Sequence, residues 1–161
     1  MTTRASVRRE RRIGRPVEVV WEVIGRPDLL HLWYPGIEAC EVRGDVRTIT
    51  LATGMTLEER ILTLDPVQRR FQYRVTGGLF QEHLATVDAL DLGDHTTLAV
   101  YSTDAAPATM ALVLGGGAGA ALDELARQLE AATGPAVDAV RAGPHPSSAP
   151  HGNHAEREAT S

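Results

Sequence analysis

The chain has 161 residues, a net charge of −5 and a single cysteine, Cys40. That length suits one domain around one core, the negative balance argues against a nucleic-acid binder that works by neutralising phosphates, and one cysteine permits no internal disulfide. No stretch approaches the roughly 20 apolar residues of a membrane span, and the first dozen residues lack the apolar centre of a secretory leader, so a cytoplasmic location is expected.

In chain order, the first feature is the basic run Arg8, Arg9, Arg11 and Arg12. It reads as the solvated face of a strand. Pro16 suits the first turn of a helix, and Val17, Val20, Trp21 and Ile24 come after it at i, i+3, i+4 and i+7, which predicts one short amphipathic helix. Pro27 and Asp28 restart the chain, and Leu29, Leu30, Leu32 and Trp33 predict a second short helix ending before Pro35-Gly36.

Between Ile37 and Asp104 the helical period gives way to apolar runs separated by turn chemistry: Arg43-Gly44-Asp45, Ala52-Thr53-Gly54, Asp65-Pro66, Gly77-Gly78 and Leu92-Gly93-Asp94. Six consecutive strands with short turns make an antiparallel meander. Phe71, Tyr73 and Val75 alternate with Gln72, Arg74 and Thr76, giving that strand one dry and one wet face. The dry face needs a cover. Residues 108–132 supply it, with Leu114, Ala118, Ala121, Leu122, Leu125 and Leu129 on one helical stripe. Gly115, Gly116, Gly117 and Gly119 weaken the first half of this helix by about 1 kcal/mol each relative to alanine, so either it is kinked or delayed there, or small residues are required by a neighbour. Strand, two short helices, six strands and a long helix define an α+β domain over residues 1–133.

From Gly134 to Ser161 the only large aliphatics are Val137 and Val140, and a disordered tail is expected. His145, His151 and His154 within it read as polar tail residues, and no bound metal is expected. The segment Gly115-Gly116-Gly117-Ala118-Gly119-Ala120 fits the GxGxxA spacing of a dinucleotide fingerprint. Beyond it the chain holds only a helix and the tail, with no second parallel strand, so nucleotide binding is set aside. No cofactor is expected.

The blocks Val20-Trp21-Glu22-Val23-Ile24, Trp33-Tyr34-Pro35-Gly36-Ile37, Cys40-Glu41-Val42, residues 46–51, residues 59–65 and Phe71-Gln72-Tyr73 together resemble the polyketide cyclase/dehydrase branch of the SRPBCC (START/Bet v1-like) superfamily. They are similar also to the plant abscisic acid receptors. The resemblance implies a helix-grip fold: a seven-stranded curved antiparallel sheet around a long C-terminal helix, with two short helices after strand 1. It further implies a small hydrophobic molecule as the partner, with the chain itself a monomer or homodimer. In the receptors, gate and latch loops stand where this chain has Ala52–Met55 and Gly78–Gln81, which lack the receptors' proline and histidine residues.

Strand parity, taken with this resemblance, puts Glu38, Glu59, Tyr73 and His83 on the concave face, with Arg47 joining from the third strand and Tyr101 sharing the face if the last strand keeps alternating. Trp33 and Tyr34 fall at the cavity mouth, as core or as an aromatic lid, and Phe80, Met110 and Leu114 complete the expected lining. In the enzymatic reading, Glu59, His83 and Tyr73 are catalytic. A carboxylate facing an apolar cavity has its pKa raised, His83 takes a proton from an acidified carbon, and Tyr73 or Arg47 stabilises the enolate. The reaction would be a cofactor-independent aldol-type cyclisation or dehydration. The alternatives are a non-catalytic binder or carrier of a hydrophobic metabolite or lipid, and a protein-interaction role. On the structural side, Glu59 and Arg47 make a natural ion pair across adjacent strands, His83 suits a satisfied interior histidine, and Cys40 suits a small buried apolar residue.

Overall fold

The computed structural model describes residues 3–144. Its elements run β1 Ala5–Ile13, α1 Val17–Ile24, a 3-10 helix Pro27–Leu32, β2 Ile37–Arg43, β3 Val46–Leu51, β4 Thr56–Asp65, β5 Arg70–Val75, β6 Glu82–Asp91, β7 Thr97–Ala106, α2 Ala108–Ala131 and α3 Pro135–Ala142. Every strand pairs antiparallel with its neighbours in the order β1-β7-β6-β5-β4-β3-β2, so the N-terminal strand returns to pair with the last one. The β2–β3 register shifts between Ile37 and Ala39, and the β4–β5 register between Ile61 and Thr63. Bulges of this kind bend a sheet. Here they belong to a curved helix-grip sheet, whose β1 and β7 strands pack against α2.

The core lies between this sheet and the helices. Val17, Val20, Val23 and Ile24 bury one face of α1, while Ala118, Ala121, Leu122, Leu125 and Leu129 bury the stripe of α2. Each buried Leu or Val side chain contributes about 1.5–3 kcal/mol relative to exposure.

The glycine-rich stretch neither interrupts nor delays α2, which is continuous from Ala108 to Ala131. Two of the glycines are there for close approach. A Cβ on Gly115 would stand 2.5 Å from Val7 Cγ1 of β1, and a Cβ on Gly117 would run into the Tyr34 hydroxyl. The dinucleotide-like spacing therefore lies inside a helix that packs on β1. Three of the four β1 arginines are held by local charges, Arg8 meeting Glu10 at 2.8 Å, Arg11 Asp123 at 3.4 Å and Arg12 Asp94 at 2.6 Å, while Arg9 donates to Gly115 O of α2 at 3.2 Å.

The expectation of a disordered tail beginning at Gly134 is corrected for residues 134–144. Pro135 opens α3, Ala136 is fully buried, and Val137 and Val140 pack on the core. Gln128, itself fully buried, is the tie: its Nε2 donates to Leu32 O at 2.9 Å, and its Oε1 accepts the Ala136 N–H at 2.9 Å. Counting large aliphatics undervalued this segment, because an alanine in a fitted cleft and one saturated polar side chain offset part of the ordering entropy. His145, His151 and His154 lie outside the described residues.

Candidate functional site

Under the first turns of α2, the concave sheet face encloses a cavity of about 240 Å³. The strands build it by parity. Ile49 and Leu51 stand at i+2 and i+4 from Arg47 on β3, Leu57 precedes Glu59 on β4, Val75 is two beyond Tyr73 on β5, and Thr103 is two beyond Tyr101 on β7. From α2 come Val113, Leu114 and Gly117, one turn apart. Leu30, Tyr34, Pro35, Gly36 and Ile37 close the side beneath the 3-10 helix. Pro35, Gly36 and Val113 are the exposed members of the lining and mark the mouth.

Glu59, Tyr73, His83 and Tyr101 are brought together in this lining from the strands, in keeping with their parity, and Tyr34, Phe80 and Leu114 join them from loops and α2. The other four expected residues are not. Glu38 is exposed, because the irregularity at Ile37/Ala39 lets Ile37 and Cys40 turn inward and pushes Glu38 and Ala39 out. Arg47 is fully buried but stands behind Glu59, outside the lining. Trp33 is core, with its ring 6.4 Å from Tyr101, so of the Trp33-Tyr34 pair only Tyr34 reaches the cavity. Met110, one turn before Val113-Leu114, does not reach the lining. The residues that sequence reasoning missed, Ile49, Leu51, Leu57, Val75 and Thr103 among them, share parity with residues it found. That periodic signal was sufficient to name them.

Arg47 sits directly across from Glu59 in the β3–β4 register, and its Nε donates to Glu59 Oε2 at 2.6 Å. Nη1 donates to Pro27 O at 3.2 Å, and the guanidinium lies over the Tyr73 and Phe71 rings at 4.5 and 5.1 Å. Burial pushes the Glu59 carboxyl up, while the Arg47 charge and hydrogen bond pull the other way. The hydroxyls of Tyr73 and Tyr101 hydrogen-bond to each other; β6, the strand between theirs, places only Ala85 opposite Tyr73. Burial raises both phenols, and it raises Tyr34 to about 12 with help from the Glu59 charge. These phenols are neutral donors and acceptors at neutral pH.

His83 is fixed by its backbone neighbour. The Val75 N–H donates to Nδ1 at 3.0 Å, so the proton of the neutral ring sits on Nε2. Burial lowers its pKa to about 4. With its lone pair engaged, His83 offers a hydrogen bond where the sequence suggested a base. Phe80 and Tyr73 flank it, with ring centroids 4.9 and 5.8 Å away. Cys40 donates through Sγ to Pro27 O at 3.3 Å, and burial pushes its thiol up to about 11, leaving it a packing residue. Among the described residues, no group of three His, Cys, Asp or Glu side chains is placed to hold a metal ion. No helix among them is long and apolar enough to cross a membrane.

The family model for polyketide cyclase/dehydrase and lipid transport matches residues 4–130, the whole of the sheet and nearly all of α2. The chain belongs to that family. Solved structures with the same fold include an uncharacterized protein from Bacillus thuringiensis, 23% identical over 78% of this chain and 98% of that one, with a TM-score of 0.72. Norcoclaurine synthase from Thalictrum flavum, in complex with dopamine and hydroxybenzaldehyde, is 18% identical over 83% of this chain and 91% of its own, with a TM-score of 0.66. The Zhui aromatase/cyclase from Streptomyces sp. R1128 is 20% identical over 83% and 100%, with a TM-score of 0.65. At these identities the likeness extends to the architecture, a fold that binds hydrophobic ligands in this family. No curated protein matches the sequence.

Proposed function

We propose that this member of the polyketide cyclase/dehydrase and lipid transport family binds a compact, mostly apolar molecule carrying a carbonyl or phenol oxygen. The observation that carries this is the state of the ionisable groups: Glu59 is already bonded to Arg47, and the lone pair of His83 is already taken by Val75 N–H. What the cavity offers a guest is therefore an apolar wall and neutral hydrogen-bonding groups, the phenols and His83 Nε2–H. A volume of about 240 Å³ lies under the roughly 300–1,000 Å³ of drug-sized pockets, which favours one or two rings over a long acyl chain.

The test compares 1-naphthol with naphthalene by fluorescence titration. The naphthol is expected to bind at least several-fold tighter, with Tyr101→Phe shrinking the difference; equal affinities would overturn the proposal. Native mass spectrometry of protein purified from its own host should find a retained molecule of this class.

A second function is favoured by one observation: Glu59 reaches the cavity wall, and burial raises its pKa toward the range of proton exchange. In that case the bound molecule is cyclised or dehydrated with Glu59 moving the proton, a role typically worth about 10²–10⁴ in rate. Glu59→Gln would then abolish turnover while leaving 1-naphthol affinity intact.

A further inference from the structure

Apart from the large cavity, a second pocket of about 160 Å³ opens where α3 packs beside α1 and the end of α2. Its walls are Val19 and Val23 of α1, Leu129 of α2, and Val137 and Val140 of α3. This is a new compartment created by α3, and it shares no lining residue with the larger cavity. An apolar cavity of about 150 Å³ accommodates benzene, so its size suits a single ring or a short branched chain.

Its charge is specific. Arg15 lines it and makes no ion pair among the described residues, and its Nε is buried without a hydrogen-bond acceptor. Arg141, exposed at the rim, donates to Ala132 O at 3.0 Å and stands 3.8 Å from Asp138. The one acid in the lining is Glu22, which is exposed and pairs with neither arginine. Arg141 is matched by Asp138, which leaves Arg15 as the guanidinium of the lining without an ion-pair partner among the described residues, and its buried donor calls for an acceptor. A planar carboxylate satisfies the guanidinium fork with two parallel hydrogen bonds.

We infer that the pocket between α1 and α3 is a second ligand site, taking a small apolar monocarboxylate whose ring or chain lies among the valines and whose carboxylate meets Arg15. Occupancy would couple α3 to α1 where the two helices meet. The coupling is thermodynamic, since a ligand that touches both helices stabilises the docked state.

The experiment titrates the full chain with benzoate, and with benzyl alcohol as the uncharged control, while monitoring methyl resonances by NMR. Benzoate is expected to shift the methyls of Val19, Val23, Val137 and Val140 saturably, and those of Ile49, Leu57 and Val75 in the larger cavity much less. Benzyl alcohol should bind about tenfold more weakly or worse, and Arg15→Gln should weaken benzoate to the same degree. Because Arg15 also sits in the turn joining β1 to α1, Val140→Phe, which fills the pocket from α3, is the second arm and should abolish the shifts. Unshifted α1 and α3 methyls in the native protein, benzyl alcohol binding as tightly as benzoate, or shifts that survive in Val140→Phe would overturn the inference.

Discussion

Arg47 and Glu59 face each other across β3 and β4 and meet at 2.6 Å with side chains only 1% and 4% exposed. A pair buried this deeply gains its attraction against a large desolvation penalty, and its members are worth most together. Arg47→Met leaves a buried, unpaired carboxylate and should destabilise the fold by about 3–5 kcal/mol. The double variant Arg47→Met/Glu59→Leu should recover most of that loss. Urea unfolding of the single and double variants checks this, and a near-neutral Arg47→Met would mean that Glu59 is already solvated or protonated.

His83 sets a pH dependence. Its folded pKa, about 4, lies below the 6.5 of the free side chain, so between those values the unfolded chain binds the extra proton. The stability His83 contributes is present above pH 6.5 and is lost as the pH falls toward 4, an effect on the order of 2 kcal/mol after allowing for partial exposure. Denaturant midpoints measured across this window should fall more steeply for the native protein than for His83→Gln, whose amide oxygen can still accept the Val75 N–H.

The three adjacent glycines of α2 should respond differently to alanine. Gly116 has open space where a Cβ would stand, so Gly116→Ala should stabilise by about 1 kcal/mol through helix propensity alone. Gly115→Ala meets Val7 and should destabilise. Gly117→Ala displaces the Tyr34 ring and should change the affinity for 1-naphthol more than it changes the melting temperature.

A chain ending at residue 133 should be less stable than one ending at residue 144, by a few kcal/mol. The shorter chain loses the Ala136 N–H bond to Gln128 and uncovers part of the core that Ala136, Val137 and Val140 protect. Equal melting temperatures for the two would show that α3 contributes nothing to the fold.

Much of this was legible from residue order alone, because period-2 and period-3.6 patterns are set by the backbone itself. The turns at Gly44, Gly54, Gly77 and Gly93, the strip of α2 from Ala118 to Leu129, and the cross-strand meeting of Arg47 with Glu59 come from spacing, and the same parity reaches Leu57, Val75 and Thr103. Tertiary structure decided what periodicity cannot carry. The β2 irregularity sent Glu38 outward, since one extra residue reverses the face of everything beyond it. Gly117 exists to admit Tyr34, a neighbour more than eighty positions away in the chain. The Val75 amide turned His83 from acceptor to donor, and a single buried glutamine docked α3, because both effects depend on which polar group a fold brings within hydrogen-bond reach.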